Sequence, residues 1–185
     1  MITITESSMT FGPFPKENVF LIEKSPCYVR LWNCQGVKTC EFILLRSDKL
    51  FFIEAKTSSP RKTLVPRESS GAPSPQELNF RAYITDIVQK MIDSLNIYAS
   101  ILLGKTGKRE ELQCPDTLKK LSLENVDIVP MLVIKNAEKD WLFPLQDALN
   151  RQLKGFFSIW GIRQIVVINE ELAVKKYHFS IMSLS

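Results

Sequence analysis

A mixed α/β fold, with α+β still open, is the class this sequence predicts: a central β-sheet with an antiparallel meander, flanked by helices. Three observations carry that expectation. β-rich runs separated by turn signals fill the first half. One long stretch with apolar residues at three- and four-residue spacing follows. After it the chain reads strand, helix, strand, an order that puts helices on the faces of a sheet.

In chain order, Ile2 to Thr5 alternates apolar residues with threonine. Val19 to Ile22 and Tyr28 to Trp32 are short β-rich runs on either side of Ser25-Pro26, and Asn33 to Gly36 suits a turn. Thr39 to Arg46 and Lys49 to Thr57 read as strands flanking Ser47-Asp48. Residues 58–75 hold four prolines and a glycine among serines, and read as a basic loop inside one domain spanning 1–185. Ile84, Ile87, Val88, Met91, Leu95, Tyr98 and Leu102 then mark an amphipathic helix over 76–103, closed at Gly104. Asp116 to Leu121 suits a short helix and Ile128 to Ile134 a strand. Trp141 to Ile159 suits a helix, Arg163 to Asn169 a buried strand, and Val174 to Ser180 a further strand.

Composition bounds the function. The 185 residues suit one domain, and 45% hydrophobic with 24% charged residues excludes a disordered or collagen-like chain. No apolar run approaches the roughly 20 residues of a bilayer span, so no membrane association is expected. MITITESSMTFG lacks the basic start and apolar stretch of an export signal. Four cysteines in such a chain read as reduced thiols, and a cytoplasmic location is expected. The net charge of +4 permits an anionic partner.

The chemistry lies in TCEFILLR-SD-KLFFIEAKT. With Ser47-Asp48 at the centre of the turn, Arg46 pairs with Lys49, Leu45 with Leu50, Leu44 with Phe51, Ile43 with Phe52 and Phe42 with Ile53. Glu41 then faces Glu54. A slip of one residue would send an apolar set to the wrong face. Directly opposed β-carbons lie about 4.5–5.5 Å apart, and two like charges there destabilise the pair unless something compensates. Lys56, two residues beyond Glu54, shares its face. A divalent cation with hard oxygen ligands, Mg²⁺ or Mn²⁺, would compensate the carboxylates. Metal, water and lysine together are machinery for phosphodiester hydrolysis.

These residues resemble the pattern of the PD-(D/E)XK nuclease superfamily, which includes restriction-endonuclease-like and RecB-like enzymes. That pattern is an acid on one strand, then apolar-apolar-Glu-x-Lys on the next. Here it is Glu41 and Phe52-Ile53-Glu54-Ala55-Lys56, within a resemblance covering residues 37–135. Glu41 stands where aspartate is usual, and no proline precedes it. The resemblance implies a core of helix, three-strand meander, helix and strand. It also implies a metal held by Glu41, Glu54 and the carbonyl of Ala55, with Lys56 orienting the attacking water or stabilising the transition state. Many members carry a glutamate upstream, for which Glu17 and Glu23 are candidates. Gln76-Glu-Leu-Asn-Phe80 approximates the RecB-like Gln-x-x-x-Tyr and makes Gln76 an accessory residue.

The expected function is thus metal-dependent cleavage of nucleic acid, with DNA favoured over RNA and the choice between them left open by the sequence. The alternative is a catalytically inactive module of the same fold that binds nucleic acid or a protein partner. Arg61, Lys62 and Arg67 in the loop leaving Lys56 are candidates for backbone phosphate contacts. A homodimer is compatible with such an enzyme, although no pattern marks a dimer face.

Other constellations are weaker. Cys27, Cys34 and Cys40 have no zinc-signature spacing and read as buried thiols. His178 is the single histidine, which disfavours a serine-hydrolase triad. Gly104-Lys105-Thr106-Gly107-Lys108 lacks P-loop spacing and reads as a helix end. Trp141, Phe143, Phe156, Phe157 and Trp160 are expected in the core.

Overall fold

The structure is a computed structural model and describes residues 1–31, 36–61, 73–106 and 113–183. Strands β1 (Ile2–Glu6) and β2 (Met9–Phe14) form an antiparallel hairpin across Ser7-Ser8. A 3-10 turn, Lys16–Asn18, leads to β3 (Val19–Phe20), and a second, Ile22–Lys24, leads to helix α1 (Pro26–Leu31). The composition of Tyr28 to Trp32 suggests a strand, but capping overrides it. The Ser25 hydroxyl accepts the Tyr28 N–H at 3.2 Å and Pro26 starts the first turn. Trp32 lies outside the described residues.

The expected hairpin follows as β4 (Phe42–Arg46) and β5 (Lys49–Lys56), paired Phe42↔Ile53 through Arg46↔Lys49, the register the sequence predicts. Ser47 and Asp48 sit at φ of 47° and 58°, the positive values a two-residue type I′ turn requires. Helix α2 (Pro75–Leu102) is capped by Ser74, whose hydroxyl accepts the Glu77 N–H at 3.2 Å. It ends at Gly104, whose φ is 66°. Short α3 (Asp116–Lys119), β6 (Asp127–Ile134), α4 (Lys139–Trp160) and β7 (Val166–Ile168) then match the predicted order.

The tail differs. Much of the predicted strand at Val174 to Ser180 belongs to helix α5 (Glu170–Tyr177), and a strand, β8 (Ile181–Ser183), comes only after it. Asn169 caps α5 by accepting the Leu172 N–H at 2.9 Å, acids fill its first turn and lysines its last.

The main sheet runs β3-β4-β5-β6-β7. Its first three strands form an antiparallel meander, and β6 and β7 lie parallel to β5. Helix α2 is the crossover from β5 to β6. No α-helix precedes β3; α1 interrupts the meander between β3 and β4. The second sheet is β1-β2-β8.

Two cores sit on the two faces of the main sheet. One joins Ile43, Leu50 and Phe52 to the apolar stripe of α2 and to Leu145, Leu149 and Leu153 of α4. The other joins Phe42, Phe51, Ile53 and Ala55 to the second sheet and to Ala173 of α5. Among the α4 aromatics Phe157 is buried and Trp141 packs on Phe80, but Phe143 is 75% exposed and so is no core residue. Cys27 and Cys40 are buried thiols as expected, and Cys34 lies outside the described residues.

Candidate active site

Alternation along β5 sends Leu50, Phe52, Glu54 and Lys56 toward α2. Strand and helix run in opposite directions. Phe52 meets Tyr98 with ring centroids 6.0 Å apart, Glu54 meets Lys90, and Lys56 approaches Asp86. The contact between strand and helix is therefore apolar at one end and charged at the other.

Glu54 is the centre of the charged end. It has no solvent exposure, and its Oε1 accepts from Lys90 Nζ at 2.7 Å and from Lys56 Nζ at 2.9 Å. Its other oxygen, Oε2, is buried with no hydrogen-bond partner. Burial pushes the Glu54 carboxyl above its ordinary range, and the two ammonium groups oppose that. Lys90 lies 4.0 Å from Glu41 Oε1 as well, so one ammonium faces both glutamates of the predicted pair. Buried between carboxylates, it is held above the usual lysine range: desolvation works against its charge, and Glu54 and Glu41 outweigh desolvation.

Glu41 lies one residue beyond the last register pair, tied to β5 by its N–H donating to the Ile53 carbonyl at 3.0 Å. Its carboxyl is pushed up to about 8, first by burial, then by a hydrogen bond to Glu23 and by the charges of Glu54 and Glu23. Glu23, one of the two upstream candidates, comes from the 3-10 turn after β3 and reaches Glu41. Glu17 is exposed in the earlier turn.

The rim is made by α2 and the segment before β4. Asp86 accepts from Lys38 Nζ at 2.5 Å and lies 3.8 Å from Lys56 Nζ. Burial would raise its carboxyl, but the Lys38 hydrogen bond and the charges of Lys38, Lys56 and Lys90 hold it below the ordinary aspartate value. Tyr83, one turn earlier, has a buried hydroxyl without a hydrogen-bond partner. Burial and the charges of Glu54 and Asp86 raise it well above the phenol range. Four carboxylates, Glu23, Glu41, Glu54 and Asp86, thus meet three ammonium groups, Lys38, Lys56 and Lys90.

Tyr83, Asp86 and Lys90 were not expected from the strand motif. Their three- and four-residue spacing forms a polar stripe beside the apolar one, and that stripe is the signal in the sequence. Gln76, by contrast, is exposed near the start of α2, ten residues before Asp86 and so about 15 Å along the axis from it. The Ala55 carbonyl is already engaged, accepting the Ser7 hydroxyl at 2.8 Å. Arg61 is exposed and paired with Glu138 at 2.6 Å, while Lys62 and Arg67 lie outside the described residues.

The donors suit a hard divalent ion in part. Among the described residues no group of three acidic, histidine or cysteine side chains is arranged to hold a metal. Mg²⁺, however, takes one or two carboxylates and fills its remaining positions with water and phosphate. Glu54 Oε2, buried and unpartnered, and Glu41, which faces the same Lys90 ammonium as Glu54, meet that lesser requirement.

Comparison with protein-family models, with curated proteins and with solved structures finds no match for this chain.

Proposed function

We propose that this chain is a metal-dependent hydrolase of nucleic-acid phosphodiester bonds, built as a restriction-endonuclease-like domain. One observation carries the reading: the hairpin register brings Glu41, Glu54 and Lys56 to one face of the sheet, beside an unpartnered Glu54 oxygen. The meander of β3, β4 and β5, followed by a helix and a parallel strand, supports it.

Glu41 and Glu54 would hold Mg²⁺ or Mn²⁺, which when bound activates a water and polarises the phosphodiester. Lys56, bonded to Glu54 yet 28% exposed, has its ammonium at the mouth of the site and offsets charge building on the phosphoryl oxygens. Asp86 holds Lys56 and Lys38 together at that mouth, giving an anionic backbone two ammonium groups to approach.

A second reading, the non-catalytic binding module, draws on Lys90: its ammonium lies where a metal would compensate the glutamates. The two readings separate in a cleavage assay on supercoiled plasmid, linear duplex, single-stranded DNA and RNA, with Mg²⁺, Mn²⁺ or EDTA. The nuclease cuts at least one substrate with metal and none in EDTA, and Glu54→Gln abolishes cutting. Four intact substrates in both metals assign the chain to the binding module.

A further inference from the structure

The residue the strand motif does not contain, Lys90, is the most protected of the three ammonium groups in the cluster. It comes from α2, whereas the glutamates come from β5 and the entry to β4, so only the tertiary fold brings the three together. Its ammonium is 2.7 Å from Glu54 and 4.0 Å from Glu41, with the side chain 13% exposed. It therefore answers both carboxylates that the proposed function assigns to the metal.

We propose that Lys90 is a resident counter-cation that competes with the divalent ion for Glu41 and Glu54, and so sets how tightly the site takes metal. The inference rests on the metal-dependent reading above. A divalent ion on these carboxylates meets the repulsion of an ammonium already bonded to one of them, unless that ammonium withdraws. A lysine can withdraw, because its charge rides on a flexible four-carbon stem. Lys56 does not share this role: it bonds Glu54 from the more open rim and has Asp86 as a second anion to turn to. Among the described residues, Lys90 alone pairs with both glutamates.

Removing the charge while keeping the stem should tighten metal binding. Lys90→Met should bind Mn²⁺ at least tenfold more tightly than wild type by titration calorimetry with the metal alone. Lys90→Arg, which retains the charge, should stay close to wild type. A measurement on the unaltered protein serves if Lys90→Met does not fold. The Lys90 ammonium signal, followed by nitrogen-15 NMR during a Mg²⁺ titration, should shift or vanish as metal binds. Equal or weaker Mn²⁺ affinity in folded Lys90→Met overturns the competition and leaves the metal reading standing, as does an unmoved Lys90 signal at saturating Mg²⁺. No Mn²⁺ binding by wild type or by Lys90→Met overturns both.

Discussion

Phe51, Ile53 and Ala55 leave β5 on one side; Leu50, Phe52, Glu54 and Lys56 leave it on the other. The side chains of the first set pack into an apolar core: Phe51 lies edge-on against Phe179 and Tyr177, with centroids 5.3 and 6.0 Å away. The second set begins as core, with Phe52 against Tyr98, and then changes into a charged cluster within one residue pair. A strand covered on both faces reads as a nearly continuous apolar run. The single break in that run, Glu54-x-Lys56, marks where one face stops being core while the other continues. A firmly packed far side holds the backbone from which the near side projects its charged groups.

That contrast can be broken from either side. Phe51→Ala removes an aromatic ring that is 3% exposed and should cost about 3–5 kcal/mol of stability in chemical denaturation. Cleavage per folded molecule should change little. Loss of cleavage in the fraction that remains folded would show that the faces are not separable.

Lys56→Ala is the complementary change. Lys90 still pairs with Glu54, so the fold should survive. Turnover should fall about a hundredfold or more, the scale of one electrostatic stabiliser, with substrate affinity largely kept. Lys56→Arg should restore it only partly, because a planar fork does not replace an ammonium beside water. Undiminished turnover in Lys56→Ala would remove this lysine from the mechanism.

A smaller effect sharpens the contrast by pH. Glu41, raised to about 8, keeps a proton in the folded chain that the unfolded chain releases near the ordinary value of 4.5. The folded state then binds more protons, and stability falls as pH rises between those values. Glu54, also raised, acts in the same direction. Asp86 is lowered, so its contribution is lost only below the ordinary aspartate range, outside this window. Denaturation in EDTA should therefore show stability declining from pH 5 to pH 8, and Glu41→Gln should flatten the decline. A wild-type profile as flat as the variant's would deny that the Glu41 carboxyl is raised in the folded chain.

The hairpin was legible because two independent constraints agree on its register: a two-residue turn and an apolar set with only one acceptable face. Helix α2 was legible from its stripe. The segments misread, Tyr28 to Trp32 and Val174 to Ser180, contain residues that suit strands, yet Ser25-Pro26 and Asn169-Glu170-Glu171 are helix starts. Local capping won over side-chain preference in both. Within the site, Glu41, Glu54 and Lys56 follow from strand geometry alone. Lys90 and Asp86 do not, since their place depends on how deep α2 sits along β5, which no local pattern records, and Lys38 joins only through its bond to Asp86. Glu23 was visible as a candidate, but its contact with Glu41 required the turn after β3.

The pairing of Lys90 with Glu54 has a further consequence for how the molecule is assembled. The apolar stripe of a 28-residue helix repeats with every turn, and packing alone discriminates poorly between settings displaced by about 5.4 Å along the axis. A fully buried carboxylate does discriminate, because any other setting takes Lys90 away and leaves it only Lys56 from its own strand. The ion pair acts as a detent, fixing the one axial position at which the longest helix locks against the sheet.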